Sequence, residues 1–221
     1  MKSLPELINE DEPGWEIVRS WVDEATNPVE VLNCSKQAGE KTLYECQVTT
    51  RSPMGAIAYQ SGGLLVDDGW LRIFGAGCDR LPISLSQWNL GKTLTQFGES
   101  APFWIVADDA IGGIYAINGG QLGDDLGKVY YFALDSLEWE SMDIGYSDFI
   151  WWTLTGDLLG YYQDLRWNDW REEVKQLPGD RVISFYPFLS AQAESIESRH
   201  RGTIPVNESY GLFVGKIIQG D

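Results

Sequence analysis

From Phe103 to Trp152 the chain alternates short apolar runs with Gly/Asp turns, a pattern that leaves few folds open. Phe103–Ala107 and Ile114–Ile117 flank Asp108-Asp109-Ala110-Ile111-Gly112-Gly113, and Val129–Leu134 and Leu137–Glu140 flank Asp135-Ser136. Runs this short, bounded by Gly and Asp, read as strands joined in hairpins. Turns select residues that tolerate left-handed backbone or hydrogen-bond their own main chain. Upstream, Leu64-Leu65-Val66, Asp67-Asp68-Gly69 and Trp70–Phe74 give the strongest hairpin signal in the chain. Helical patterns lie on both sides of the strands. The order helices, strands, helices, strand predicts an α+β fold rather than regular βαβ winding. The expected architecture is a small, mostly antiparallel twisted sheet built from hairpins and packed by flanking helices.

The helix starts are written in caps. Ser3 and Glu6 have capping-box spacing with Pro5 in the first turn, Ser35 precedes a helix ending near Cys46, and Ser52-Pro53 opens one closed by Gly62-Gly63. Asp11, Ser147, Asp157 and Asn168 are the expected caps of further helices, and Ser84 to Asn89 a short helical turn. Pro178-Gly179-Asp180 turns the chain into a last strand, Val182 to Leu189. Beyond Ser190 the composition becomes small and polar before Ile204-Pro205-Val206 and Tyr210 to Ile218 turn apolar again. The division predicted is a single α+β domain over 1–189 and a C-terminal extension over 190–221, a linker plus a docking segment.

A net charge of −17 disfavours nucleic acid and anionic membrane surfaces and favours cationic partners. The bias is steepest in the central stretch, where Asp108, Asp109, Asp124, Asp125, Asp135, Glu138, Glu140, Asp143 and Asp148 are answered by Lys128 alone. Ten tryptophans supply enough apolar area for a core without disulfide or metal staples. Three cysteines with no C-x-x-C pair suit a reducing compartment. The N-terminal residues lack a basic start and an apolar core, and no run reaches the ~18–20 apolar residues of a membrane span. The expected location is the cytoplasm.

No catalytic motif emerges, so the expectation is a protein that is not an enzyme, with no cofactor and no metal. Asp67-Asp68, Asp108-Asp109 and Asp124-Asp125 could offer oxygen ligands to a hard cation, yet turns select Asp for backbone reasons. Glu138 and Glu140 around Trp139 could serve a carboxylate-dependent hydrolase acting on glycans, but residues two apart on a strand share one face and leave little room for a sugar. The single histidine, His200, sits in a basic, polar run without an orienting partner, which leaves no serine triad. Trp151 is set beside Trp152, so the two cannot share one helix face, and Trp151 is open to two roles, a partner anchor or a lid contact.

Several blocks resemble known families. Gly62-Gly63-Leu64, Ile105-Val106-Ala107-Asp108-Asp109, Gly112-Gly113, Val129-Tyr130-Tyr131 and Tyr146-Ser147-Asp148-Phe149-Ile150 follow the motif order of the SUKH (SMI/KNR-like) superfamily, with Asp148 where an aromatic is common. Thr49-Thr50-Arg51-Ser52-Pro53-Met54-Gly55-Ala56, Gly62 to Asp67, Gly145 to Phe149 and Tyr186-Pro187-Phe188-Leu189 resemble the bacterial domain-of-unknown-function family DUF2625 over nearly the whole chain. The latter implies no activity. The superfamily implies a SUKH-like fold and binding rather than catalysis, often as immunity proteins that neutralise toxins. The function expected is therefore a non-catalytic protein-binding module that meets a basic toxin or effector. Its expected contacts are Asp108, Asp109, Asp124 and Asp125, with Trp151 as anchor. The alternatives are the carboxylate-dependent hydrolase and an acidic structural domain without a dedicated ligand.

Overall fold

All three predicted hairpins form, and they stack side by side into one sheet. In the computed structural model, which describes residues 1–192 and 195–219, the strands are β1 (Val29–Leu32), β2 (Gly63–Val66), β3 (Leu71–Phe74), β4 (Phe103–Asp109), β5 (Ile114–Asn118), β6 (Lys128–Ala133) and β7 (Glu138–Gly145). They form a seven-stranded sheet in sequence order, every neighbour antiparallel. A second, two-stranded sheet pairs β8 (Arg181–Tyr186) with β9 (His200–Pro205). The helices are α1 (Leu4–Leu7), α2 (Gly14–Asp23), α3 (Lys36–Cys46), α4 (Pro53–Gln60), α5 (Leu85–Asn89), α6 (Tyr146–Thr155), α7 (Leu158–Tyr161), α8 (Trp170–Lys175) and α9 (Val206–Gln219). The fold is thus α+β.

Caps and strand ends account for most helix boundaries. Ser35, Ser52 and Ser84 Oγ accept the backbone N–H groups of Ala38, Gly55 and Gln87, and Asp157 accepts that of Gly160. Three expected caps shift. α2 starts after Pro13 rather than Asp11, α8 after Asp169 rather than Asn168, and α6 after Gly145 rather than Ser147. The last shift has a physical cause: β7 runs on to Gly145 and passes into α6 with no intervening loop. Asn89 closes another gap. β3 pairs only with Ala107 to Asp109, so the groups of Ile105 facing that side are open, and the Asn89 side chain accepts from Ile105 N–H (2.9 Å) and donates to its carbonyl (2.8 Å).

The 190–221 segment contributes β9 and α9. β9 pairs residue by residue with β8, and Val206, Ser209 and Val214 of α9 are buried. Val182–Leu189 is therefore not the last strand. Ala193, Glu194, Gly220 and Asp221, within the expected extension, lie outside the described residues. Ile183 N–H donates to Ala110 O at 2.7 Å, which ties β8 to the turn after β4. A second tie lies at the β2–β3 turn. There Arg166 donates to Asp67 at 2.6 Å, and its guanidinium carbon sits 4.6 and 4.1 Å from the Trp70 and Trp170 rings. Arg171 and Lys175 of α8 pair with Asp68 at 3.4 and 3.3 Å.

Candidate functional site

Successive residues of a strand point to opposite faces, so the dipeptide Asp108-Asp109 at the end of β4 is divided between the two sides of the sheet. Asp108 meets its cross-strand partner Arg72, which donates through Nε (2.7 Å) and Nη2 to the two carboxylate oxygens. The same guanidinium donates from Nη1 to Arg181 O at 2.7 Å. Asp109 faces the other way. It accepts from Tyr131 OH (2.7 Å), from the backbone N–H groups of Gly113 (2.8 Å) and Ile111 (3.1 Å), and from Tyr162 OH at 3.3 Å. Burial pushes Asp108 up to about 6 against the pull of Arg72, and it raises Asp109 as well against its hydrogen bonds.

Asp108 is 1% exposed and Asp109 0%. The expectation that they present charge to a partner is corrected here, since a side chain enclosed this way touches nothing outside the fold. Their charges are taken up by Arg72, tyrosine hydroxyls and turn N–H groups. Asp125 belongs to a different place. It accepts from Tyr130 OH, Ser141 Oγ (2.9 Å) and Asn118 Nδ2 (3.3 Å), and the Tyr130 bond foremost holds its carboxyl below the usual range. Asp124 beside it is exposed. Trp151 is 38% exposed and meets Trp21 of α2 edge to face at 6.3 Å. The five predicted contacts thus do not converge.

The structure instead brings together residues that were read singly. Tyr115 stacks on Tyr131 (4.6 Å), Tyr131 meets Tyr161 (6.1 Å), Tyr161 meets Trp152 (4.9 Å), Trp152 stacks on Phe149 (6.1 Å), and Phe149 returns to Tyr115 (4.9 Å). This closed ring of aromatics starts in the core above Asp109 and surfaces at Tyr161, which is 43% exposed. Glu140 is the cross-strand partner of Tyr131 and Glu138 that of Ala133, so both glutamates point to this face of the edge strand β7. Asp125 and Ser141 lie on the opposite face, with Tyr130. Burial, with the charges of Asp109, Glu140 and Asp135, pushes the Tyr161 hydroxyl up to about 12, so it stays a neutral donor at any working pH. The surface offers ring faces and carboxylates together, which suits a guanidinium or ammonium group.

Tyr161 had a legible signal. It is adjacent to Tyr162, and two neighbouring aromatics cannot both point inward from one helix turn, the same reasoning that singles out Trp151.

The fold and this surface define an α+β protein built on a consecutive antiparallel meander with an acidic edge strand. The chain belongs to the family described as "Protein of unknown function DUF2625", whose model matches residues 4–209. It is similar to the uncharacterized protein YbfG of Escherichia coli (strain K12), 46% identical over 214 residues, covering 96% of this chain and 95% of that one. It is also similar to an uncharacterized protein of Haemophilus influenzae, 38% identical over 211 residues, covering 95% of this chain and 92% of the relative. Among the described residues no helix is long and apolar enough to cross a membrane.

Proposed function

We propose that the chain is a non-catalytic protein-binding module that engages a basic protein through the acidic, aromatic edge formed by β7, α6 and α7. The observation that carries this reading is the exposure of Tyr161, which packs on Tyr131, the cross-strand partner of Glu140 on the face that also bears Glu138. Tyrosine and tryptophan dominate binding hot spots, and surrounding acids raise the on-rate and select a cationic partner. The resemblance of its motif order to that of the SUKH superfamily supports the finer reading, an immunity-type protein that neutralises a basic toxin or effector. Trp151 would extend the contact toward α2, and Asp124 its acidic rim.

Charges on an edge strand also guard against unwanted strand pairing, and the test separates the two roles. A basic protein encoded beside this gene is purified and its affinity measured by calorimetry at two salt concentrations. The expected result is binding that weakens with salt and falls by more than about ten-fold in Glu138→Lys/Glu140→Lys and in Tyr161→Ala. Affinity indifferent to salt and to all three substitutions overturns the proposal. Self-association of the lysine variant without lost affinity would assign the glutamates to edge protection alone.

A further inference from the structure

Among the described residues, every buried or half-buried cation but Lys92 has at least one carboxylate, carbonyl or hydroxyl partner, although Arg166 Nε and Nη1 have none of their own. Arg72, Arg166 and Arg201 each face a carboxylate. Lys128 and Arg199 donate to backbone carbonyls, and Arg181 to Thr203. Lys92 Nζ has neither kind of partner. It is held over the Trp88 ring, 3.9 Å from the centroid, and 5.4 Å from that of Tyr210. Burial lowers its pKa. A half-buried ammonium with only ring faces against it leaves its N–H donors open to an acceptor from solution.

The space beside it is shaped for one. A cavity of about 270 Å³ is lined by Pro82, Ile83, Ser84, Trp88, Lys92 and Asn207. Its lining mixes apolar residues with polar ones and opens to solvent at Pro82 and Asn207. Asn207 stands in the first turn of α9, where N–H groups have no partner within the helix; the N–H of Val206 is already taken by Asp180 O at 2.9 Å. Asp180 lines the same cavity, and a negative charge so close disfavours a ligand of more than one negative charge.

We propose that this cavity binds a small organic carboxylate, its oxygens accepting from Lys92 Nζ and Asn207 and its apolar body lying against Pro82 and Ile83. This site is separate from the acidic edge and stands without it. The test is a titration of the full-length, ¹⁵N-labelled protein with sodium benzoate, benzamide and inorganic phosphate. The reporter is the Trp88 indole resonance, assigned by its loss in Trp88→Phe. Benzoate should shift that resonance saturably, while its neutral isostere benzamide and phosphate should not. Lys92→Gln, which retains the fold because Lys92 is only half-buried, should weaken the benzoate response by about ten-fold or more. A benzoate response that never saturates, survives Lys92→Gln or is matched by benzamide overturns the proposal. Saturable binding of phosphate in place of benzoate overturns the carboxylate assignment.

Discussion

Asp108-Asp109 and Asp124-Asp125 are the same dipeptide beside the same kind of glycine-bearing turn, yet they have opposite fates. The first pair is enclosed, one carboxylate fastened to Arg72 and the other to Tyr131 and the turn N–H groups. The second stays at the surface, where Asp125 steadies its loop through Tyr130 and Ser141 and Asp124 is exposed. The difference lies in what surrounds each pair. β4 is an interior strand of the sheet and lies under helices, so its acids must be matched or neutralised. The 119–127 loop sits beside the edge, where water solvates whatever the turn requires. A run of acids is thus a statement about charge, and only the partners distant in sequence decide whether that charge is structural or available.

The sharpest way to break this contrast is to truncate both pairs. Asp108→Ala leaves the Arg72 guanidinium buried without its carboxylate and should cost about 3–5 kcal/mol in denaturant unfolding. A cost near that of a surface substitution would show that Arg72 finds solvent and that the pair is not enclosed.

A pH series sharpens it further. The folded value of Asp108, about 6, stands above its ordinary 3.8, so the folded state holds a proton that the unfolded state has released. The stability this contributes is fully present below about pH 4 and is lost as pH rises through about 6, at most about 3 kcal/mol. Asp108→Asn cannot titrate at this position, so the stability of the wild type relative to that variant should decline between about pH 4 and 7 and then level off, as read from urea midpoints. An advantage that instead grows with pH would mean that Arg72 outweighs burial and holds the carboxylate charged.

The surface pair should respond least. Asp124→Ala should move the melting temperature by no more than about 2 °C. Asp125→Asn should destabilise slightly more, because Tyr130 and Ser141 then donate to a neutral oxygen. If either matched Asp108→Ala, the loop would belong to the core after all.

Much of the fold was legible because short-range chemistry specifies it. The hairpin turns carry Asp and Gly where Asp67, Asp68, Gly69 and Gly112 adopt positive φ, and Ser35, Ser52 and Ser84 cap helices in place. β9 was missed because His200–Pro205 has one large apolar residue, Ile204, and most of the strand faces solvent. The candidate site was less legible than the fold. Nothing near Asp108 announces Arg72, which reaches it only through the β3–β4 register. Nor does local sequence reveal that Glu140 shares a face with Tyr131 and Tyr161, since that follows from strand pairing and helix placement together. Adjacent aromatics were the usable signal, and the rule that places Trp151 outward applies equally to Tyr161.

The passage of β7 into α6 at Gly145 has a consequence for recognition. With no loop between them, the carboxylates on the strand and Trp152 on the helix are joined by continuous regular backbone, and Trp152 packs in turn on Tyr161. A partner that lands there finds the charges and the anchors already spaced, so little ordering entropy is lost on complex formation. Inserting a short flexible linker at that junction would leave every side chain present and still slacken the grip.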